Sequence, residues 1–239
     1  IGFIGVHAYL SNVLELEAKE EILVLVVPSV ALAIYVVAIL PEAFFRTLAS
    51  IVTRTLYRVE VSGSGNVPRK GGVLILSNHL SYADPVLVGA HIFREVQFLA
   101  YLGLANSRLM RFFFRLSSTI PLSPTRAKDA IRTASTRLKA GEAICIFPEG
   151  GISRFGPMIG FRKGFELIAR KGDALVLPVY LDGVWGSIFS FSGGRFFRKW
   201  PRKLPYPVRL QIGEPIPSGN AGAERLKMVL HGLSRKAFS

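Results

Sequence analysis

The chain has 239 residues, 50% of them hydrophobic, and a formal charge of +14 at pH 7. That length suits one ordinary globular domain with an additional segment, and a mean hydropathy of +0.37 argues against a wholly soluble domain. The basic excess suits nucleic acid or an anionic membrane surface, and the apolar content favours the membrane.

Residues 1–21 form an apolar and then acidic lead-in. Ile1 to Leu10 is apolar and does not begin with Met, so it is expected to be the end of an upstream membrane domain. Ile22 to Leu40 runs for 19 residues without a charge. As a helix it would be about 28 Å long, close to the thickness of a bilayer core, so 22–40 is predicted to be a transmembrane helix. Pro28 is tolerable in such a helix. A buried core helix is the alternative, but it would normally carry a polar stripe.

Glu15, Glu17, Glu20 and Glu21 precede the segment, while Arg46, Arg54 and Arg58 follow it. The glutamates stand where a signal peptide would be basic. The arginines place the rest of the chain on the cytoplasmic side. Residues 41–60 read as an interfacial amphipathic helix and linker, with a strand near 57–61.

From Gly72 onward, strand and helix signals alternate. Strands are predicted at 73–77, 96–101, 118–122, 143–147, 175–181 and 207–213, and helices at 84–93, 107–116, 126–139, 160–171 and 221–237. The pattern predicts an α/β fold, a mixed β-sheet flanked by helices, over 61–219, with a C-terminal helix in 220–239. Cys145 is the single cysteine, so no intrachain disulfide forms. Its apolar neighbours make it a packing residue, in keeping with a reducing compartment.

Two polar motifs follow apolar runs. Asn78-His79-Leu80-Ser81-Tyr82-Ala83-Asp84-Pro85 comes after Val73-Leu74-Ile75-Leu76, and Phe147-Pro148-Glu149-Gly150 comes after Ala143-Ile144-Cys145-Ile146. A histidine at a strand end with a carboxylate five residues later supplies a general base and the group that orients it. The same residues also suit a plain helix start, with Asp84 as cap, Pro85 in the first turn and Ser81 to Asp84 as a capping box. Glu149 with Gly150 and Gly151 suits either a ligand-facing loop at the top of a sheet or a simple turn.

Together and in this order, the His-x-x-x-x-Asp and Phe-Pro-Glu-Gly blocks resemble the signature of the glycerolipid acyltransferases, the lysophosphatidic acid acyltransferase superfamily. The resemblance covers about residues 45 to 219. Phe161-Arg162-Lys163-Gly164 and Leu177-Pro178-Val179 are similar to later blocks of that family. Tyr180 to Ser190, Gly193 to Phe197 and Lys203 to Pro207 are similar to the acyltransferase part of fused bacterial 2-acylglycerophosphoethanolamine acyltransferase/acyl-carrier-protein synthetase proteins. There a transporter-like membrane domain precedes and a synthetase follows.

The resemblance implies a lysophospholipid O-acyltransferase of the inner membrane, with its catalytic domain on the cytoplasmic side. His79 would be the general base and Asp84 its partner. Asn78, Ser81, Glu149, Gly150, Gly151, Arg154, Arg126 and Lys163 would bind substrate, and backbone amides of the first block would stabilise the oxyanion. The donor would be an acyl carrier protein or coenzyme A thioester, with no cofactor and no metal.

The phosphatidate-forming members carry Arg within Phe-Ile-x-Arg and Glu-Gly-Thr-Arg. Here Arg126 and Arg154 each arrive two residues late. A phosphate monoester calls for a close bidentate Arg, so the shift favours a phosphodiester acceptor such as 2-acyl-glycerophosphoethanolamine. 1-Acylglycerol-3-phosphate is the alternative acceptor, and a non-catalytic lipid-binding or transporter accessory module is the alternative of another class. Basic and aromatic residues interleave at Arg108–Arg115 and Arg195–Lys203, which suits anionic lipid or an acidic carrier protein rather than nucleic acid.

Overall fold

The computed structural model describes residues 18–39, 41–106, 108, 111, 114, 119–156, 158, 160–194 and 204–236, with backbone only at 18, 19, 21, 22, 33, 36–39, 41–46, 49 and 105. The chain divides into two compact units, Ile1–Phe45 and Arg46–Ser239. The basic-aromatic stretch Arg195–Lys203 and most of the predicted helix 107–116 lie outside the described residues.

In the first unit, helix α1 spans Ala18–Ile39 with Pro28 inside it. Leu23, Val24, Val26, Val27, Val30, Leu32, Ile34 and Tyr35 are all exposed on it. Among the described residues no helix is long and apolar enough to cross a membrane. The expected transmembrane span 22–40 is therefore a helix here without the run of described apolar residues that a crossing needs. It also takes in residues 22, 33 and 36–40, whose side chains lie outside the description.

Helix α2, Pro41–Leu56, ends in the second unit. There it exposes Leu48, Ile51 and Val52, while Leu56 packs on the core.

Among the described residues the second unit holds seven strands: β1 Tyr57–Ser62, β2 Val73–Ser77, β3 Val96–Tyr101, β4 Ile120–Leu122, β5 Ala143–Ile146, β6 Leu175–Asp182 and β7 Tyr206–Ile212. Their order in the sheet is β1-β7-β6-β2-β5-β3-β4. Among the described strand pairs only β6–β7 is antiparallel, so the sheet is mixed as predicted.

The central strands are apolar, β2 as far as Leu76 and β5 along its length, because both of their faces are covered. Alternation along each strand sends side chains to two layers. Val73, Ile75 and Cys145 face the layer of helix α3, Asp84–His91, through Leu87, Val88 and Ile92. Leu74, Leu76, Ile144 and Ile146 face the opposite layer. It is made by helices α4 Ala127–Lys139, α5 Gly164–Gly172 and α6 Ala223–Lys236. The predicted strands and helices among the described residues recur within a few residues of their expected bounds.

Candidate active site

Strands β2 and β5 are parallel neighbours, with Leu76 opposite Ile146. The segments that leave their carboxyl ends therefore lie side by side, and these are the two polar blocks. The His79 ring stacks on Phe147, with centroids 4.0 Å apart and planes 17° from parallel. The His79 backbone N–H donates to Glu149 Oε1 at 2.9 Å. The Ser153 N–H donates to the His79 carbonyl at 2.9 Å. The second block and Ser153 just beyond it thus fix His79 from its ring, its amide and its carbonyl.

Asp84 opens helix α3, whose cap is Ala83 without a side-chain capping bond. The Asp84 carboxylate turns back instead onto the residues ahead of it. Its Oδ2 accepts from His79 Nδ1 at 2.9 Å, Leu80 N at 2.6 Å and Ser81 N at 2.8 Å, and its Oδ1 accepts from Ser81 Oγ at 2.7 Å. The Ser81 N–H bond to this carboxylate and the Ala83 N–H bond to Ser81 Oγ are capping-box contacts, so the same carboxylate both caps the turn and holds His79 Nδ1.

Asp84 is wholly buried, and the charge is compensated by these four donors. An ionised carboxylate only accepts, so Nδ1 carries the proton and Nε2 holds the lone pair. With Nδ1 engaged and the ring backed by Phe147, Nε2 is the ring nitrogen without a hydrogen bond among the described residues. The His79 side chain is 14% exposed, enough to be reached and dry enough to be held in place.

Several residues expected to bind substrate have other tasks. Asn78 is buried, and its side-chain amide pairs with the β6 backbone, Nδ2 to the Leu181 carbonyl at 2.9 Å and Oδ1 from the Leu181 N–H at 2.8 Å. It extends the sheet rather than facing a ligand. Ser81 is fully buried; its Oγ donates to Asp84 and accepts from Ala83 N. Glu149 is buried with its carboxylate on the His79 amide, so it positions the histidine.

The expected oxyanion donors of the first block are likewise occupied. The N–H groups of residues 79 to 84 donate to Glu149, Asp84, Phe189, Ser81 Oγ and the Ser81 carbonyl.

Gly150 does require glycine. Its φ is +75°, and a Cβ there would lie 2.4 Å from Arg162 Nε. Gly151 borders open space. Arg154 is exposed and lies over the Phe191 ring, 5.8 Å from its centroid. Arg126 closes the short turn Pro124–Arg126, and Lys163 precedes α5. Both are exposed.

Sequence reasoning passed over four residues. Phe147 backs the imidazole and Ser153 holds the His79 carbonyl. Arg162 lies against Gly150, and Phe191 carries Arg154. Arg162 stood beside the chosen Lys163, and the glycine at 150 was the signal for its close approach. The Cys145 thiol is fully buried, which pushes its pKa well up and keeps it unreactive. Among the described residues no three His, Cys, Asp or Glu side chains group to hold a metal ion. A cavity of about 420 Å³ lined by Arg94, Glu95, Gln97, Glu142 and Ala143 sits at the amino ends of β3 and β5, away from this chemistry.

The profile of the family described as Acyltransferase matches residues 58–182. The chain is 26% identical over 139 residues to a chloroplast 1-acyl-sn-glycerol-3-phosphate acyltransferase of Arabidopsis thaliana, covering 56% of this chain and 39% of that protein. It is 25% identical over 184 residues to the 1-acyl-sn-glycerol-3-phosphate acyltransferase of Bacillus subtilis, covering 74% and 85%. It is 24% identical over 201 residues to the lyso-ornithine lipid O-acyltransferase of Brucella abortus, covering 74% and 73%. The chain thus spans well under half the length of the Arabidopsis protein and most of the two bacterial ones.

Among solved structures, the 1-acyl-sn-glycerophosphate acyltransferase of Thermotoga maritima superposes with a TM-score of 0.65 at 24% identity. The match covers 82% of this chain and 81% of that one, and it shares the fold.

Proposed function

Because the chain belongs to the acyltransferase family, we propose that it moves a fatty acyl group from a thioester to the free hydroxyl of a lysophospholipid. The observation that carries this reading is the buried Asp84 carboxylate on His79 Nδ1 at 2.9 Å, which leaves Nε2 as a base. Nε2 takes the acceptor hydroxyl proton as the oxygen attacks the thioester carbonyl. The tetrahedral intermediate collapses, the carbon–sulfur bond breaks, and the imidazolium returns the proton to the departing thiolate. No covalent enzyme intermediate is needed. Asp84 stabilises the transient imidazolium, and such acid–base work contributes roughly 10²–10⁴-fold.

The donor is an acyl carrier protein or coenzyme A thioester, and the surplus of cations over anions suits either anionic carrier. The acceptor is a phosphodiester lysolipid, with 2-acyl-glycerophosphoethanolamine as the leading member. Arg154 and Arg126, each two residues later than in the phosphatidate-forming pattern, support that choice. The names of the Bacillus and Arabidopsis relatives favour the second reading, 1-acylglycerol-3-phosphate. The likeness of 180–207 to fused acyltransferase/synthetase proteins supports the first.

The enzyme works on the cytoplasmic side of the inner membrane. The exposed apolar side chains of α1, together with Leu48, Ile51 and Val52 on α2, support attachment to lipid.

The test is acyl transfer by the purified chain in lipid. Labelled acyl donor is offered with lysophosphatidylethanolamine or lysophosphatidic acid, for wild type and His79→Ala. Product from wild type alone is expected, with lysophosphatidylethanolamine preferred. Equal turnover by His79→Ala would defeat the mechanism. A strong preference for lysophosphatidic acid would replace the acceptor and keep the chemistry.

A further inference from the structure

The stretch between β6 and the residues beyond 194 lies past the end of the family match at residue 182, yet it is fastened to the site at several points. Ser190 forms a β-bridge with Ser81. The Tyr82 N–H donates to the Phe189 carbonyl at 3.1 Å. The Tyr82 and Phe191 rings lie 6.1 Å apart. Trp185 covers Gly156, where a Cβ would come within 3.1 Å of the indole.

The strap is also rigid within itself. Ser190 Oγ accepts from Gly186 N at 3.0 Å and donates to the Ser187 carbonyl at 2.9 Å. Ser187 N donates to the Val184 carbonyl and Ser190 N to the Ser187 carbonyl, both at 3.1 Å. Ser187 and Ser190 are fully buried. A loop held this way sets the position of whatever rests on it, and what rests on it is Arg154.

We infer that Phe191 is a positioning and specificity residue: it holds the Arg154 guanidinium beside the His79 turn for the single negative charge of the acceptor phosphodiester. The inference rests on the acyl-transfer reading above. Arg154 follows Ser153, whose amide is bonded to the His79 carbonyl, so its backbone is already anchored next to the base. A long arginine side chain from that point has many rotamers, and an aromatic face under the guanidinium selects among them. Among the described residues Arg154 has no carboxylate partner, which leaves its donors for an anion. The two-residue displacement noted in the sequence is thereby answered by a second element, supplied from outside the matched family segment.

The experiment is a double-mutant cycle on the intact chain with Phe191→Leu, Phe191→Tyr, Arg154→Met and the Phe191→Leu/Arg154→Met pair. Steady-state kinetics are measured with lysophosphatidylethanolamine and with monoacylglycerol, which lacks the phosphate. Phe191→Leu is expected to raise KM for lysophosphatidylethanolamine about two- to fivefold, with kcat and donor KM unchanged. Phe191→Tyr restores KM, and the effect vanishes for monoacylglycerol and in the Arg154→Met background.

Equal losses with both acceptors, or a full Phe191→Leu effect without Arg154, would overturn the assignment. Equilibrium binding of lysophosphatidylethanolamine to the same four variants repeats the cycle without turnover. A wild type that binds but does not transfer would defeat the acyl-transfer reading, while the binding cycle still decides the role of Phe191.

Discussion

Removing the Glu149 carboxylate separates two roles that the sequence alone could not distinguish. As a headgroup ligand, Glu149 would act on acceptor affinity. As a clamp on the His79 amide, it acts on the base. The geometry favours the clamp: Oε1 lies 2.9 Å from the His79 nitrogen, and the residue is only 5% exposed. Glu149→Ala leaves that N–H without its acceptor in a dry place, at a cost of about 1–3 kcal/mol. For a chain of this size that lowers Tm by about 2–12 °C.

The Ser153 bond, the Phe147 stack and the Asp84 bond all remain, so the ring stays near its position while losing one of four restraints. The expected effect on the proposed acyl transfer is a fall in kcat of about 10–100-fold, which corresponds to about 1.4–2.8 kcal/mol of transition-state stabilisation. Acceptor KM stays within about twofold. Glu149→Gln keeps an oxygen acceptor and recovers most of kcat. Full kinetic curves for the acceptor at saturating donor, with melting curves alongside, make the test. A tenfold rise in acceptor KM at unchanged kcat would refute the clamp and return Glu149 to the headgroup.

Asp84→Asn keeps an oxygen for Nδ1–H but removes the charge opposite the imidazolium. It is expected to lower kcat by about 10²–10³-fold with little change in KM, as read by the same assay. Gly150→Ala must adopt a φ of +75° and displace Arg162, so it is expected to destabilise the fold by about 1–2 kcal/mol in denaturant titration.

Cys145, whose pKa burial raises, binds its proton more tightly folded than unfolded. Its contribution is therefore fully present below its ordinary value of 9.0 and is lost as the pH rises above that value, with a slope of about 1.4 kcal/mol per pH unit. Cys145→Ala is expected to flatten this part of the alkaline limb of a stability–pH curve. An unchanged limb would refute it.

The sheet was legible because its central strands carry the simplest code. Val73–Leu76 and Ala143–Ile146 are unbroken apolar runs bounded by turn residues, and only a parallel interior strand uses such runs in a mixed α/β chain. Their adjacency was not legible. Nothing local tells β2 that β5 will be its neighbour, and that pairing is what brings Phe147 and Glu149 to His79.

The contacts made within the blocks were not legible for the same reason. Asn78, Ser81 and Glu149 are polar residues near a base, a pattern that suits substrate binding. Their partners are Leu181, Asp84 and the His79 amide, and the first and third of these lie far along the chain. A polar side chain at a strand end is exposed to ligand only if no neighbouring strand claims it, and tertiary pairing decides that.

The occupied amides of residues 79 to 84 lead to a general point about how this turn works. A loop that must hold a histidine still, next to a buried carboxylate, has to satisfy every N–H it takes away from water, at about 1–3 kcal/mol for each one left over. Here Asp84 takes two of those amides together with Nδ1, Glu149 takes a third, and the strap through Phe189 takes a fourth. Two buried acids therefore hold one histidine, Asp84 at its ring and Glu149 at its backbone amide. Asp84 sets its tautomer and supplies charge, while Glu149 fixes the backbone that carries it. That division explains why Glu149 follows a strand end directly and why Gly150 comes next. The carboxylate must enter the His79 turn, and the chain must then leave through a left-handed residue to make room for Arg162. Neither acid is left facing outward, while the exposed guanidinium groups of Arg154 and Arg162 lie against Phe191 and Gly150.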